Sequence, residues 1–448
     1  MQSNSYLIKS AIVAALGGLL FGFDTAVISG AIADLTKAYQ LSAGLLGVTV
    51  SSALVGTVLG AMLAGLPSER LGPRDTLRIL AIFYFVSALG CALAWSWYAL
   101  LFFRVIGGVA IGGSSVLGPM YIAEVSPAKK RGWLVAFFQL NVVVGVLLAY
   151  FSNYLFSLAN LGVGEWRGML GIAALPAVFF FFMLFGIPNS PRWLVRKNRI
   201  IEARQVLQAV GENDYDDQLT KIQEDIAVEE AAAHESLFTR RYAFPIFLAV
   251  SIGFFNQLSG INAIVYYLNF IFSSAGYGAV SANLQSVVVG VTLLIFTTAG
   301  MLTIDHVGRK TLLLIGAVGN CVCLIGLGLI FLRHQGQEFM LWLLMGYIAF
   351  FALAQGTVIW VFISEVFPNT VRAKGQSLGS FAHWIMNAAI SLLFPIFAAI
   401  SPAYPFLFFA CMTGLQFFVV MFFYPETKGL TLEEMHRVLR MPATADES

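Results

Sequence analysis

Apolar stretches long enough to cross a bilayer recur along this chain from residue 8 to residue 424. A helix needs about 20 mainly apolar residues for that crossing. The pattern predicts twelve of them, at residues 8–30, 43–66, 77–96, 99–122, 133–157, 168–187, 243–272, 280–304, 311–332, 340–363, 375–399 and 404–424. Polar residues are confined to short connections, with one exception. Residues 188–242 carry eight Lys or Arg and ten Asp or Glu, with helix-like runs at IIEARQVLQAV and DQLTKIQEDIAVEEAAAHES. Apolar positions at helical spacing there predict a small helical bundle rather than a plain linker. The expected organisation is an N-terminal six-helix bundle at 1–187, a cytoplasmic helical linker at 188–242, a C-terminal six-helix bundle at 243–425 and a cytoplasmic tail at 426–448.

Composition agrees with this pattern. Charged residues make up 11% of the chain and hydrophobic ones 58%, against roughly 25% charged in a soluble domain. Too few charges remain to coat a water-facing surface, so lipid is the expected solvent. The apolar run after Lys9 continues as the first span, so no cleavable signal peptide is expected. Loops after the even-numbered spans hold most Lys and Arg, whereas those after the odd spans hold only Lys37, Arg167 and Arg333. Positive residues stay on the cytoplasmic side, which puts both termini in the cytoplasm. The four Cys all fall in apolar stretches and predict neither a disulfide framework nor a metal cluster. No N-x-[ST] sequon is present, which fits a bacterial inner membrane. A net charge of +2 gives no reason to expect a nucleic-acid partner, and no oligomer signal is present, so a monomer is expected.

The two halves repeat one another. YIAEVSPAKKRG (121–132) parallels FISEVFPNTVRAKG (362–375), with Glu and Arg seven residues apart in each. SERLGPR (68–74) parallels IDHVGRK (304–310), and PNSPRWL (188–194) parallels PETKGLT (425–431). Three motifs therefore recur in the same order at offsets of 241, 236 and 237 residues. Duplicated halves are how many transporters build two gates around one central site.

Several polar side chains fall inside the spans. Asp24 lies mid-span in helix 1 and Arg104 early in helix 4. An ionisable group at that depth is expensive, so it faces a partner or a wet cavity, and Arg104 is the expected partner of Asp24. A carboxylate balanced between burial and a cation can take and release a proton. Helix 7 carries Asn256, Gln257 and Asn262 around Ser259-Gly260. On a regular helix Gln257 and Asn262 diverge by about 140°; a break at Ser259-Gly260 would bring both onto one ligand. Amides suit a polyol because each offers donors and an acceptor. In helix 5, Gln139, Tyr150 and Asn153 fall on one stripe, and in helix 11 so do Gln376, Ser380, His383 and Asn387, with Trp384 alongside. Gly356 and Trp360 sit one turn apart in helix 10, a pairing that lets an aromatic face meet a ligand.

Taken together, GGLLFGFDTAVISG, RVIGG, PMYIAEVSPAKKRG, NQLSGIN, DHVGRK, SEVFPNTVR and PETKG resemble the signature series of the sugar porters, a branch of the major facilitator superfamily. The resemblance runs from about residue 17 to 435 and keeps all seven motifs in order. It implies an all-α membrane protein with twelve transmembrane helices in two pseudo-symmetric bundles, the major facilitator fold, and a sugar site between them. Asp24 matches the aspartate of proton-coupled members, where facilitative glucose carriers have a neutral residue. The matching sugar-site positions are Gln139, Gln257, Asn262, Gly356, Trp360, Trp384 and Asn387. The family pattern also suggests crossed gating pairs, Glu124 with Arg372 and Glu365 with Arg131.

The chain departs from the family at several points. Asn256 stands where a second glutamine is usual, Leu293 replaces an asparagine of helix 8, and His383 replaces an amide. On the cytoplasmic rim Glu69 replaces an Asp, Pro73 an Arg, and Asn189 a Glu.

The expected function is proton-coupled symport of a monosaccharide, hexose or pentose, by alternating access. The alternative is an uncoupled carrier of a sugar, polyol or cyclitol. A nutrient sensor with this fold would be expected to carry a long cytoplasmic tail. A membrane enzyme is disfavoured, because no nucleophile–base pair, metal-ligand spacing or phosphate loop appears. Neither a cofactor nor a metal is expected.

Overall fold

The computed structural model describes residues 2–160, 162–210, 215–232, 236–368, 370–429 and 439. All regular structure among them is helical. Twelve helical spans are long and apolar enough to cross a membrane: Tyr6–Tyr39, Ala43–Leu63, Pro73–Ala92, Trp97–Val125, Lys130–Ala159, Glu165–Gly186, Arg240–Tyr266, Ala279–Val307, Arg309–Arg333, Gln337–Glu365, Arg372–Ile400 and Ala403–Phe423. These are spans 1 to 12 below. The protein is thus a multi-pass membrane protein. Most of the expected cytoplasmic tail (430–438 and 440–448) lies outside the described residues.

The chain divides into two compact units, Met1–Ala231 with Gly278–Val287, and Ala232–Tyr277 with Val288–Ser448. The first part of span 8 therefore groups with the first unit and the rest with the second.

In the first unit, span 1 packs on span 5 and span 2 on span 4 at close range, because glycines face backbone. A Cβ on Gly22 would lie 1.8 Å from the carbonyl oxygen of Val142, and one on Gly145 would lie 2.0 Å from that of Leu19. Small residues let membrane helices approach in this way, since packing rather than water exclusion drives their association. The linker forms helices Pro191–Arg196, Ile200–Val210 and Tyr215–Ala232, with a small core of Leu194, Val195, Ala203 and Ile226. Val210 joins the same buried cluster as Leu7, and the Trp193 indole donates to the Glu69 carbonyl at 3.0 Å. These contacts seat the linker helices on the first unit.

In the second unit, spans 7 and 10 are interrupted. Span 7 is helical over Ala243–Leu258, breaks at Gly260 (φ 89°), resumes over Ile261–Tyr266, and after Tyr267 continues as Leu268–Ser274. Span 10 breaks at Ala354 (φ −106°, ψ −88°), between helices Met340–Leu353 and Gln355–Glu365. Gly260 is required twice over: its φ is left-handed, and a Cβ there would lie 2.2 Å from the Phe409 ring.

Candidate functional site: the polar cluster of spans 7, 10 and 11

The break at Ser259-Gly260 turns the second half of span 7 back on the first. Asn262 Nδ2 then donates to Gln257 Oε1 at 3.1 Å, a contact that a regular helix forbids. Gln257 Nε2 lies 3.1 Å from Asn256 Oδ1 and 3.2 Å from a ring nitrogen of His383 on span 11. The His383 ring is flanked by Trp360 and Trp384, each with its ring centroid 5.1 Å away. Gln257, Asn256, His383, Trp384 and Asn387 are all buried, whereas Trp360 remains 38% exposed. A partly exposed aromatic ring thus lies close to the amide cluster. Such an arrangement can stack the C–H face of a sugar and hydrogen-bond its hydroxyls.

Asn387 is placed by partners that sequence reasoning missed. It donates to Tyr266 Oη at 3.3 Å and accepts from Ser391 Oγ at 3.2 Å, while Tyr267 Oη donates to the Ser391 carbonyl at 2.9 Å. Gly356 lies at the start of the helix after the span 10 break, and a Cβ there would press on the Phe351 ring at 3.2 Å. Along span 11 the stripe runs from exposed Gln376 through half-buried Ser380 to buried His383 and Asn387. Leu293 is half-buried on span 8.

In the first unit, Gln139 is half-buried on span 5. Its stripe-mate Asn153 is used for packing instead: its amide donates to the Val27 carbonyl at 3.1 Å and rests against Gly30. Asp24 and Arg104 differ from expectation. The buried Arg104 sends Nε to the Thr49 carbonyl of span 2 at 3.1 Å. It stays within Coulombic reach of Asp24, but no direct ion pair joins the two. The guanidinium gives its Nε donor to the backbone of span 2. The Asp24 carboxylate instead lies near Gly107 of span 4, 4.0 Å from the point a Cβ there would occupy, with Ser87 Oγ 2.4 Å from the same point.

At the end of span 10, Glu365 has partners of its own. Arg309 donates to both its oxygens, at 2.8 and 3.2 Å, and Thr427 Oγ1 donates at 2.6 Å. Arg309 also bonds Asp305 at 2.9 Å. The Arg372 Nε turns to the Phe367 carbonyl at 3.3 Å. In the first unit Glu124 is half-buried and Arg131 is exposed. Glu365 thus already has partners within its own unit. Opposite charges nearby in the fold but 56 residues apart in sequence leave no spacing signal.

Broken helices around a buried amide cluster, within a duplicated twelve-span chain, define a secondary transporter. The chain matches the "Sugar (and other) transporter" family model over residues 10–439, and it belongs to that family. It is 34% identical over 474 residues to the D-xylose-proton symporter of Escherichia coli strain K12, covering 97% of this chain and 96% of the relative. It is 35% identical over 446 residues to the arabinose-proton symporter of Bacillus subtilis strain 168 (98% and 96%). Among solved structures, the inward-open conformation of the xylose transporter XylE from E. coli matches with a TM-score of 0.86 at 34% identity, covering 97% of this chain and all of the other. The fold is that of the major facilitator superfamily, and the protein is a sugar transporter rather than an enzyme.

Proposed function

We propose that this chain carries one monosaccharide, a pentose or hexose, together with a proton across a bacterial inner membrane, as a monomer with both termini cytoplasmic. The observation that carries the sugar assignment is the Gly260 break, which joins Asn262, Gln257 and His383 into one hydrogen-bonded set beside Trp360. Asn256, Gly356, Trp384, Asn387 and Gln139 complete the proposed contacts. The relatives named for xylose, arabinose and protons support the class of cargo and the coupling. Asp24 is the proposed proton carrier. With no ion pair to Arg104 holding its charge, the carboxyl can accept a proton in one state and release it in another, and Arg104 biases that exchange through space. Glu124, Arg131, Glu365 and Arg372 are the proposed gate charges, each state exposing a different set of partners.

The test is uptake into proteoliposomes of labelled D-xylose, arabinose and D-glucose, with and without an inward proton gradient. One of them should accumulate only with the gradient. Asp24→Asn should abolish accumulation yet keep counterflow of the same sugar, since the amides are untouched. Accumulation that survives Asp24→Asn would remove Asp24 from coupling. Equilibration without accumulation in the unsubstituted protein would make it an uncoupled carrier.

A further inference from the structure

The hydrogen bonds around Gln257 do not stop at span 7. Asn256 uses its oxygen to accept from Gln257 and its nitrogen to donate to the backbone carbonyl of Gln355 at 3.4 Å. Gln355 is the first residue of the helix that follows the Ala354 break. Its own side chain reaches a third span, donating from Nε2 to Gln416 Oε1 of span 12 at 2.6 Å. Both glutamines are 1% exposed. A continuous chain of hydrogen bonds therefore runs from His383 through Gln257, Asn256 and Gln355 to Gln416.

Stability alone does not account for this pair. Gln355 Oε1 is buried and meets no donor, and a buried acceptor without a partner is destabilising. Two apolar side chains of similar volume would pack the same space without that cost. The location supplies a reason. At Ala354 the helix loses its regular geometry, and Thr357 Oγ1 ties the break along the chain by donating to the Ala352 carbonyl at 2.7 Å. Sideways, the Gln355–Gln416 bond ties it to span 12, as the Asn256 amide ties it to span 7. The carbonyl so fixed is the one that receives Asn256.

We propose that Gln355 and Gln416 are positioning residues for the sugar site: their bond fixes the Gln355 carbonyl, which orients Asn256, which in turn sets how Gln257 presents its amide to a sugar hydroxyl. This rests on the reading of span 7 as a sugar site. Neither glutamine touches the sugar; both act through Asn256.

The experiment measures binding of D-xylose, arabinose and D-glucose to the purified full chain, and its apparent melting temperature, for four proteins: unsubstituted, Gln416→Met, Asn256→Leu and the double variant. For the sugar that binds, Gln416→Met should weaken affinity about fivefold, as expected for a misplaced hydrogen bond. In the Asn256→Leu background the same substitution should leave affinity unchanged, because the route through Asn256 is already cut. Melting temperature should fall equally in both backgrounds, which separates positioning from general stability. The variant Gln355→Met/Gln416→Met removes both amides together and should recover stability while affinity stays low. Unchanged affinity in Gln416→Met, an equal loss in both backgrounds, or full recovery of affinity in the two-methionine variant would each overturn the proposal. If the unsubstituted chain binds none of the sugars, the sugar-site reading fails and the proposal with it.

Discussion

The two turns that begin spans 3 and 9 have the same backbone and different chemistry. Gly72 (φ 92°, ψ 156°) and Gly308 (φ 97°, ψ 157°) precede the two helices in matching conformations. In the second unit the Glu426 carboxylate sits against Gly308 and accepts from the backbone N–H of Arg309 at 2.8 Å and of Lys310 at 3.0 Å. It also takes the N–H of Thr427 and Lys428, so it caps a helix and closes its own turn at once. In the first unit Asn189 occupies the corresponding place against Gly72, but the helix opens on Pro73. Proline has no N–H to give. A carboxylate there would find one donor fewer, and a neutral amide, which also accepts the Ser190 N–H at 3.1 Å, suffices. Pro73 and Asn189, two departures from the family pattern, thus stand at one turn. The comparison extends one step further. Arg309, which holds Glu365, corresponds to Pro73, which cannot hold Glu124. In the second unit Arg309 joins Asp305 to Glu365, whereas in the first Arg74 and Arg78 gather on Asp75.

Breaking the stronger side should have the largest effect. Arg309→Leu removes a 9%-exposed guanidinium and leaves Glu365 and Asp305 without their shared cation. Loss of one partner from a largely buried pair costs about 3 kcal/mol, so the apparent melting temperature should drop by several degrees. A change within error would mean that water replaces the pair freely. Glu426→Gln should cost less, about 1–2 kcal/mol, because the amide oxygen can still cap one N–H while the charge opposite the helix end is lost. The measurement is the same thermal unfolding, and a loss equal to that of Arg309→Leu would show that the network fails as a unit.

The first unit offers the converse test. Asn189→Glu alone should gain little, since Pro73 withholds the counterpart of one of the two helix N–H groups that Glu426 receives. Pro73→Arg alone should gain little, since the Asn189 amide oxygen that would receive the restored N–H already accepts from Ser190 and carries no charge. Together they should rebuild the second unit's turn and add about 1 kcal/mol of stability, visible as a coupling in the double-mutant cycle. Additive effects would mean that the two positions changed independently.

These contrasts mark where sequence reasoning reached and where it stopped. Hydropathy located all twelve spans, because lipid leaves only long apolar helices as a solution. The break in span 7 was legible because Gly260 has no Cβ and sits between two amides that a regular helix would separate. The breaks at Tyr267 and Ala354 were not, because neither residue is a helix breaker. Amide side chains on spans 7 and 11 were readable as a site from their clustering. Gln355 and Gln416 were not, since a lone glutamine in a span looks like ordinary interhelical glue until its partner is known. Pro73 and Asn189 were visible separately as departures, and only the fold puts them at one turn.

The smallest effect belongs to the linker, where an ion pair stands fully in water and sharpens the contrast with the buried rim. Arg199 donates from Nε and Nη2 to the two oxygens of Glu202, each at 2.6 Å, at the start of helix Ile200–Val210. That hydrogen bond holds the Glu202 carboxyl below its ordinary value near 4.5. A carboxyl whose value is lowered in the folded protein stabilises it fully above the unfolded value and loses that contribution as pH falls through the folded one. The helix should therefore open more readily as pH is lowered from about 5 toward 3, at low salt. Because both partners are exposed, salt at about 0.5 M should remove most of the effect, whereas the Arg309–Glu365 pair, being largely shielded, should keep its contribution. Amide hydrogen exchange of residues 200–210, corrected for the intrinsic pH dependence of exchange, reads the opening directly. Glu202→Gln should flatten the profile at every salt concentration. If the profile keeps its slope in Glu202→Gln, the linker's pH response comes from elsewhere in the small core around Leu194 and Ile226, and the exposed pair contributes nothing to it.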